Sequence, residues 1–238
     1  TSPSYLLLAS LDAARQQMAL EGFERLEKTL DLVRSVRSHL QTLLGLRVLS
    51  SAHLQHQSGC AALDLTRLTV EVSGLGLSGF DADSLLHEEL GITAELPSLR
   101  HLTFIVSLGN GPEDGESLIQ GLTHLSQRYA RASSSQAEAT LPVRRAALAE
   151  ARLDLPPVAP RQAFFAATET VPIEQSMGCL SAETLCPYPP GIPLLLPGER
   201  ITAAALAALQ QIHQAGGQIT GCADPSLTTL TVLRDEGG

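Results

Sequence analysis

Cys186-Pro187-Tyr188-Pro189-Pro190-Gly191-Ile192-Pro193, followed by Leu194-Leu195-Leu196-Pro197-Gly198-Glu199, is the stretch on which the reading of this chain turns. Four prolines stand within 187–193. Each fixes φ and removes a backbone donor. The stretch is therefore neither a helix interior nor a central strand. Tyr188, Ile192 and the leucines 194–196 are apolar and favour burial. These features predict a rigid, ordered loop that leads into a short buried strand, with Tyr188 buried and its hydroxyl hydrogen-bonded.

Outward from this loop the pattern is mixed α/β. Leu11, Ala14, Met18, Phe23, Leu26, Leu30, Val33, Leu40 and Leu44 recur at three- and four-residue steps and predict a long helix over about 11–44. Gly22 marks a possible kink, and Gly45 a C-cap. Leu26, Leu30 and Val33 are the predicted packing face, with part of the apolar surface left exposed. Arg67-Leu68-Thr69-Val70-Glu71-Val72 alternates and reads as a strand. A short helix follows with Asp81 or Asp83 as N-cap, closed by Gly91. Strands are predicted at 92–95 and 99–108, and a helix over 117–132 with Leu118, Leu122, Leu125 and Tyr129 on one face. A polar stretch at 133–138 and the prolines at 156, 157 and 160 bound a linker. The last segment predicts a helix over 202–215, ended by Gly216-Gly217, and strands near Ile219 and over 227–232. The expected organisation is a helix region (1–45), a small α/β domain (46–132), a linker (133–157) and a C-terminal domain (158–238).

Composition narrows the function classes. The 238 residues with 44% hydrophobic content suit a globular protein. A net charge of −9 argues against nucleic acid and anionic membranes as partners. No apolar run reaches a membrane span, and no signal-peptide core is present. Cys60, Cys179, Cys186 and Cys222 lack C-x-x-C spacing, which points to reduced thiols and a cytoplasmic location. His87, His101 and His213 are scattered singles without metal spacing, so no metal site is expected.

The phrase C-P-Y-P-P-G-I-P-x-x-x-P-G-E closely resembles the C-terminal signature of the bacterial Orn/Lys/Arg decarboxylases. Further segments follow in the family's order. Thr1-Ser2-Pro3-Ser4-Tyr5 and Ala9-Ser10-Leu11-Asp12-Ala13-Ala14 resemble the segment after the family's cofactor lysine. Asp64-Leu65-Thr66-Arg67 is similar to a D-P-T-R/K strand entry, with Leu65 in place of proline. Pro160-Arg161-Gln162-Ala163-Phe164-Phe165 and Gly178-Cys179-Leu180-Ser181-Ala182-Glu183 precede the proline loop.

The resemblance implies an α/β architecture: a long linking helix, a small α/β sandwich domain and a C-terminal α/β domain of a fold-type I enzyme dependent on pyridoxal 5'-phosphate (PLP). It implies decarboxylation of arginine, lysine or ornithine, in a cytoplasmic homo-oligomer serving polyamine biosynthesis. Thr1 and Ser2 become candidate contacts to the cofactor phosphate, with N-capping as the alternative. Glu183 and Glu199 flank the signature loop and are candidates for meeting the basic end of the substrate. Cys186 could line the pocket or be an inert thiol. One lysine is present, Lys28, within the charged helical stretch Glu24-Arg25-Leu26-Glu27-Lys28. A PLP enzyme needs a Schiff-base lysine, and Lys28 has the surroundings of a solvated helix residue. No catalytic residue is therefore expected in this chain. The initial Thr1 suggests a fragment or processed product. The chain is expected to be inactive alone and to partner an N-terminal PLP-binding half or another copy. The alternative is a non-catalytic assembly or regulatory protein that retains the decarboxylase C-terminal fold.

Overall fold

A computed structural model of the chain describes residues 3–54, 59, 61–133, 157–188 and 191–234. Thr1, Ser2, Cys60, Pro189, Pro190 and nearly all of the expected linker 133–157 lie outside the described residues. The chain divides into two compact units. One holds Thr1–Gly76, Ala82–Glu95 and His101–Ser135; the other holds Leu77–Asp81, Leu96–Arg100 and Gln136–Gly238.

The first unit opens with α1 (Tyr5–Leu40), which runs through Gly22 without a break. It ends four residues earlier than its apolar period suggests. The last turn tightens instead, with Thr42 N–H donating to His39 O at 3.0 Å and Leu43 N–H to Leu40 O at 3.2 Å. Gly45, at φ 78°, is not a cap. It lets two chain segments cross, because a Cβ on Gly45 would stand 3.0 Å from Gly74 O and one on Gly74 2.6 Å from Gly45 O.

Only the C-terminal half of α1 is buried, through Thr29, Val33, Val36, Arg37 and Leu40, besides Gly22. Leu26 is exposed, contrary to its predicted packing role, while Leu30 is half-buried. Tyr5, Leu6, Leu7, Leu8, Leu11, Leu20 and Phe23 are all exposed. Four consecutive apolar residues at 100° steps cover the whole helix circumference. No described residue of this unit covers them.

Three strands, β1 (Arg47–Val48), β2 (Arg67–Glu71) and β4 (His101–Ile105), pair antiparallel in the order β1-β2-β4. Val70 stands opposite Leu102 and Leu68 opposite Phe104. All four are buried. Thr69 and Thr103 on the other face hydrogen-bond at 3.0 Å. This is the period-two alternation expected of a sheet covered on one side. The expected strand 99–108 is thus shorter, and Ile105 is exposed.

A single helical turn, α2 (Ser51–Leu54), precedes β2. Between β2 and β4 lie α3 (Gly79–Leu90) and the two-residue β3 (Leu96–Pro97). The N-cap of α3 is Ser78, not Asp81 or Asp83. Ser78 Oγ accepts from Asp81 N–H at 3.0 Å and donates to Asp81 Oδ2 at 2.7 Å. Gly91 ends the helix as expected, at φ 67°. The strand expected at 92–95 does not form. Ile92 N–H donates to Leu86 O and Ala94 N–H to Asp83 Oδ1, so local partners take donors a ladder would use.

The helix α4 (Pro112–Ser133) begins five residues before its apolar period does. Pro112 is preorganised for a first turn, and Asp114 accepts from Gly111 N–H at 2.8 Å. Leu118, Leu122 and Leu125 are buried as predicted. Gly115 admits α1 closely, because a Cβ there would lie 2.7 Å from Leu32 Cδ1.

The second unit contains α5 (Pro160–Phe165), β5 (Thr168–Pro172), β6 (Cys186–Tyr188), α6 (Ala203–Gln214), β7 (Gln218–Thr220) and β8 (Thr229–Leu233). β5 pairs with β8 and β6 with β7, both antiparallel. Thr202 caps α6, its Oγ1 accepting from Ala205 N–H at 3.1 Å. Leu209 from α6 packs with Ile173, Leu185, Leu195, Ile201, Leu230 and Val232 in one core. Each such leucine contributes about 1.5–3 kcal/mol.

Candidate functional site

The signature loop is pinned at its base. Leu185 N–H donates to Leu195 O at 2.9 Å and Leu194 N–H to Leu185 O at 2.8 Å. Gly191, at φ 80°, turns back to donate to Pro187 O at 2.9 Å. The loop is ordered at these points, but the strand expected over 194–196 reduces to one isolated bridge, Leu185 to Leu195. Pro193 and Pro197 supply no N–H on either side. Leu195 is buried, whereas Ile192 and Leu196 are exposed.

A two-residue alternation governs the approach to the loop. Ser181, Glu183, Leu185 and Pro187 point inward; Thr184 and Tyr188 are exposed, and Ala182 and Cys186 are intermediate. Tyr188 is 57% exposed, which corrects the expectation that it is buried. Its position in β6, opposite exposed Gln218, places it on the outer side. Cys186 is half-buried on the same strand, and its carbonyl accepts from Thr220 Oγ1 at 3.0 Å.

The same parity carries Glu183 into the interior, where it is 9% exposed. Its Oε1 accepts from Ala223 N–H at 2.8 Å and from Thr231 Oγ1 at 2.9 Å. Its Oε2 accepts from Thr231 N–H at 3.1 Å. The neighbouring Ala182 N–H donates to Thr231 O at 3.0 Å. The carboxylate thus stands where a strand carbonyl would complete the pairing to β8. Buried charge is tolerated here because three donors meet it.

Glu199 lies on the facing segment, joined to Ser181 by Ser181 N–H to Glu199 O and Gly198 N–H to Ser181 O, each 2.8 Å. Its side chain is turned elsewhere: Oε2 accepts from Leu196 N–H at 2.8 Å. The structure therefore brings the backbones near Glu183 and Glu199 together and gives their carboxylates different partners. Thr1 and Ser2 lie outside the described residues.

Sequence reasoning passed over Asp224. Its carboxylate accepts from the backbone N–H and the hydroxyl of Ser226, Thr228 and Thr229. The hydroxyl of Ser226 and then that of Thr228 hold its pKa far below the ordinary 3.8. The D-P-S-x-T-T spacing is the signal that identifies such a turn. This turn also holds buried Leu227 at φ 53°. A carboxyl group depressed on folding stabilises the fold above its unfolded pKa, and that contribution is lost as pH falls. The acid limb of the stability curve should therefore flatten below pH 3.8 in Asp224→Asn, measured by urea unfolding. An unchanged acid limb refutes this role.

Lys28 is exposed, and its Nζ donates to Glu24 Oε1 at 2.6 Å. The open groove beside it, about 580 Å3, also holds Arg25 paired to Glu21 at 2.7 Å. These described residues do not fit PLP: the lysine is committed to a surface ion pair, and the sequence holds no second lysine. Cys179, Cys186 and Cys222 are free thiols, and burial raises the pKa of Cys222. Among the described residues no group of three or more His, Cys, Asp or Glu side chains could hold a metal ion. None of the described helices is long and apolar enough to cross a membrane.

Residues 145–223 match the family model described as the Orn/Lys/Arg decarboxylase C-terminal domain. The chain is 34% identical over 238 residues to an arginine decarboxylase of Bacillus subtilis, covering 99% of this chain and 46% of that protein. It is 35% identical to an arginine decarboxylase of Halalkalibacterium halodurans, with the same shares covered. The chain thus spans about half the length of these relatives. The constitutive lysine decarboxylase of Escherichia coli shares the fold, with a TM-score of 0.72, 20% identity, and coverage of 98% of this chain and 44% of that one. Lysine decarboxylase A of Pseudomonas aeruginosa matches with a TM-score of 0.68 at 20% identity, covering 98% of this chain and 43% of that one.

Proposed function

The chain carries the C-terminal region of the Orn/Lys/Arg decarboxylases, and on that premise we propose that it is the C-terminal portion of a PLP-dependent decarboxylase of arginine, lysine or ornithine. The observation that carries the reading is similarity to arginine decarboxylases along 99% of the chain. The cofactor, with its Schiff-base lysine, is held by polypeptide other than this sequence. Lys28, tied to Glu24, has no part in it. Thr1 and Ser2 are the residues proposed to approach the cofactor phosphate. The assembled enzyme is a cytoplasmic homo-oligomer.

Of the two flanking acids, Glu199 suits the basic end of the substrate better. It is half-buried and spends one oxygen on Leu196 N–H. Glu183 already satisfies three donors inside its own unit. Cys186 and Tyr188 form the outer side of the same strand and wall the approach.

A second reading, a non-catalytic assembly or regulatory protein with this fold, is favoured by one observation: the lone lysine is spent on the surface. One experiment separates them. The chain is purified from its native source with whatever polypeptide accompanies it. The decarboxylase reading expects a PLP absorbance band, CO2 release from one of the three basic amino acids, and borohydride fixation of PLP on a lysine other than Lys28. In that assembly Glu199→Gln should raise KM about tenfold or more, since it removes a charge-assisted bond, and leave PLP bound. A PLP-free, unrelated partner establishes the assembly reading instead. Specific labelling of Lys28 would overturn the proposed division of roles.

A further inference from the structure

The stretch 160–172 is ordered yet almost uncovered. Apart from buried Ala163 and half-buried Val171, every residue from Pro160 to Pro172 is exposed. Phe164 and Phe165 are 77% and 72% exposed and meet edge to face at 5.1 Å. β5 within it is bare on both faces from Thr168 to Thr170.

The hydrogen bonds define which side of β5 is open. Arg234 N–H donates to Ala167 O at 2.9 Å, and Ile173 N–H donates to Thr228 O at 3.0 Å. With Thr170 opposite Thr231, the odd-numbered residues of β5 turn their backbone to β8. Thr168, Thr170 and Pro172 turn theirs away. β8 is occupied on its other side: Leu233 N–H donates to Leu180 O at 2.8 Å, and Thr231 N–H to Glu183 Oε2 at 3.1 Å. Among the described residues, β5 is therefore the open edge of this sheet.

We propose that β5 is a homotypic interface, on which a second copy of this chain adds its own β5 antiparallel, about a two-fold axis at Thr170. The match of free groups selects this occupant. The edge offers two donors, Thr168 and Thr170 N–H, and three acceptors, the carbonyls of Thr168, Thr170 and Pro172. Centred on Thr170, the register lets Thr170 exchange two bonds with Thr170 of the second copy. Each Thr168 N–H then meets the Pro172 carbonyl of the second copy. All four donors are used, and the Thr168 carbonyl of each copy, opposite a proline without an N–H, stays open to water at the end of the pair. Glu169 stands opposite Val171 of the second copy. A register centred one residue earlier would set Glu169 against its own copy, which is repulsive. Phe164 and Phe165 add apolar surface beside the pair. This interface does not depend on the decarboxylase reading.

The full chain is tested by sedimentation equilibrium and by cysteine cross-linking. The wild type should dimerise with concentration. Thr170→Pro removes an outward N–H that β8 does not use, so it should weaken the dimer about tenfold or more with little change in melting temperature. Thr170→Cys should form an intermolecular disulfide with oxidised glutathione, because directly opposed Cα atoms in a hydrogen-bonded pair stand about 5.5 Å apart. Thr168→Cys should not, because residue 168 opposes residue 172. A chain that stays monomeric overturns the proposal. So does an oligomer that Thr170→Pro leaves intact and Thr170→Cys fails to cross-link, which assigns association to another surface such as the exposed half of α1. Protection of the Thr170 amide only when a PLP-bearing polypeptide is added, with no cross-link in Thr170→Cys, also overturns it and makes that polypeptide the occupant.

Discussion

Replacing Glu183 with leucine should cost about 3 kcal/mol or more of unfolding free energy, because it orphans two backbone N–H groups and a hydroxyl. Each buried donor left unmet costs about 1–3 kcal/mol. The apolar gain from leucine does not offset this, since the donors remain. Glu183→Gln should cost less, about 1–3 kcal/mol. Its amide keeps one acceptor and turns an NH2 group against a donor. Denaturant unfolding of the full chain gives the totals. Hydrogen exchange of the Thr231 amide localises them, since that N–H loses its acceptor. A loss below about 0.5 kcal/mol in the leucine variant, the usual range for a surface change, rules out the carboxylate as the acceptor that completes the strand pairing.

The second large effect is expected at Arg37. It is 6% exposed at the inner face of α1. Its guanidinium donates to the carbonyls of Leu49 and Leu65, which ties the helix to two loops. Burial lowers its pKa. Arg37→Ala removes both ties and leaves a cavity, so a loss of about 2–4 kcal/mol is expected. Arg37→Met keeps much of the volume and removes a desolvated charge, so its loss should be clearly smaller. The two variants compared by urea unfolding separate packing from charge. Equal losses in both mean that the hydrogen bonds matter more than the filled space.

Periodic burial was the legible part of this fold. Leu118, Leu122 and Leu125 mark the inner face of α4, and Leu68 and Val70 the inner face of β2. Thr202 and Gly216 bracket α6 as their chemistry requires. Three features escaped for physical reasons. β1 is two residues long, too short for any alternation to register. Ile92 and Ala94 have strand-like composition, but their donors are taken by a helix end and by Asp83. The proline motif identified the loop without fixing its parity, so Tyr188 turned outward and Glu183 inward. A buried glutamate is invisible to a hydrophobic pattern. Only the donors of distant residues 223 and 231, brought close by folding, explain it.

The bare margin of β5 also bears on solubility. Its last residue is Pro172, and Glu169 stands beside its central Thr170. An incoming strand finds only two backbone donors before the proline ends the row. Pairing in the most favourable register consumes both. The far side of β8 is already filled by Leu180 and the Glu183 side chain. A stack that grows by adding one strand after another, as in a fibril, has no template to copy here. Association of the folded chain through this edge should therefore stop at a pair rather than grow into filaments.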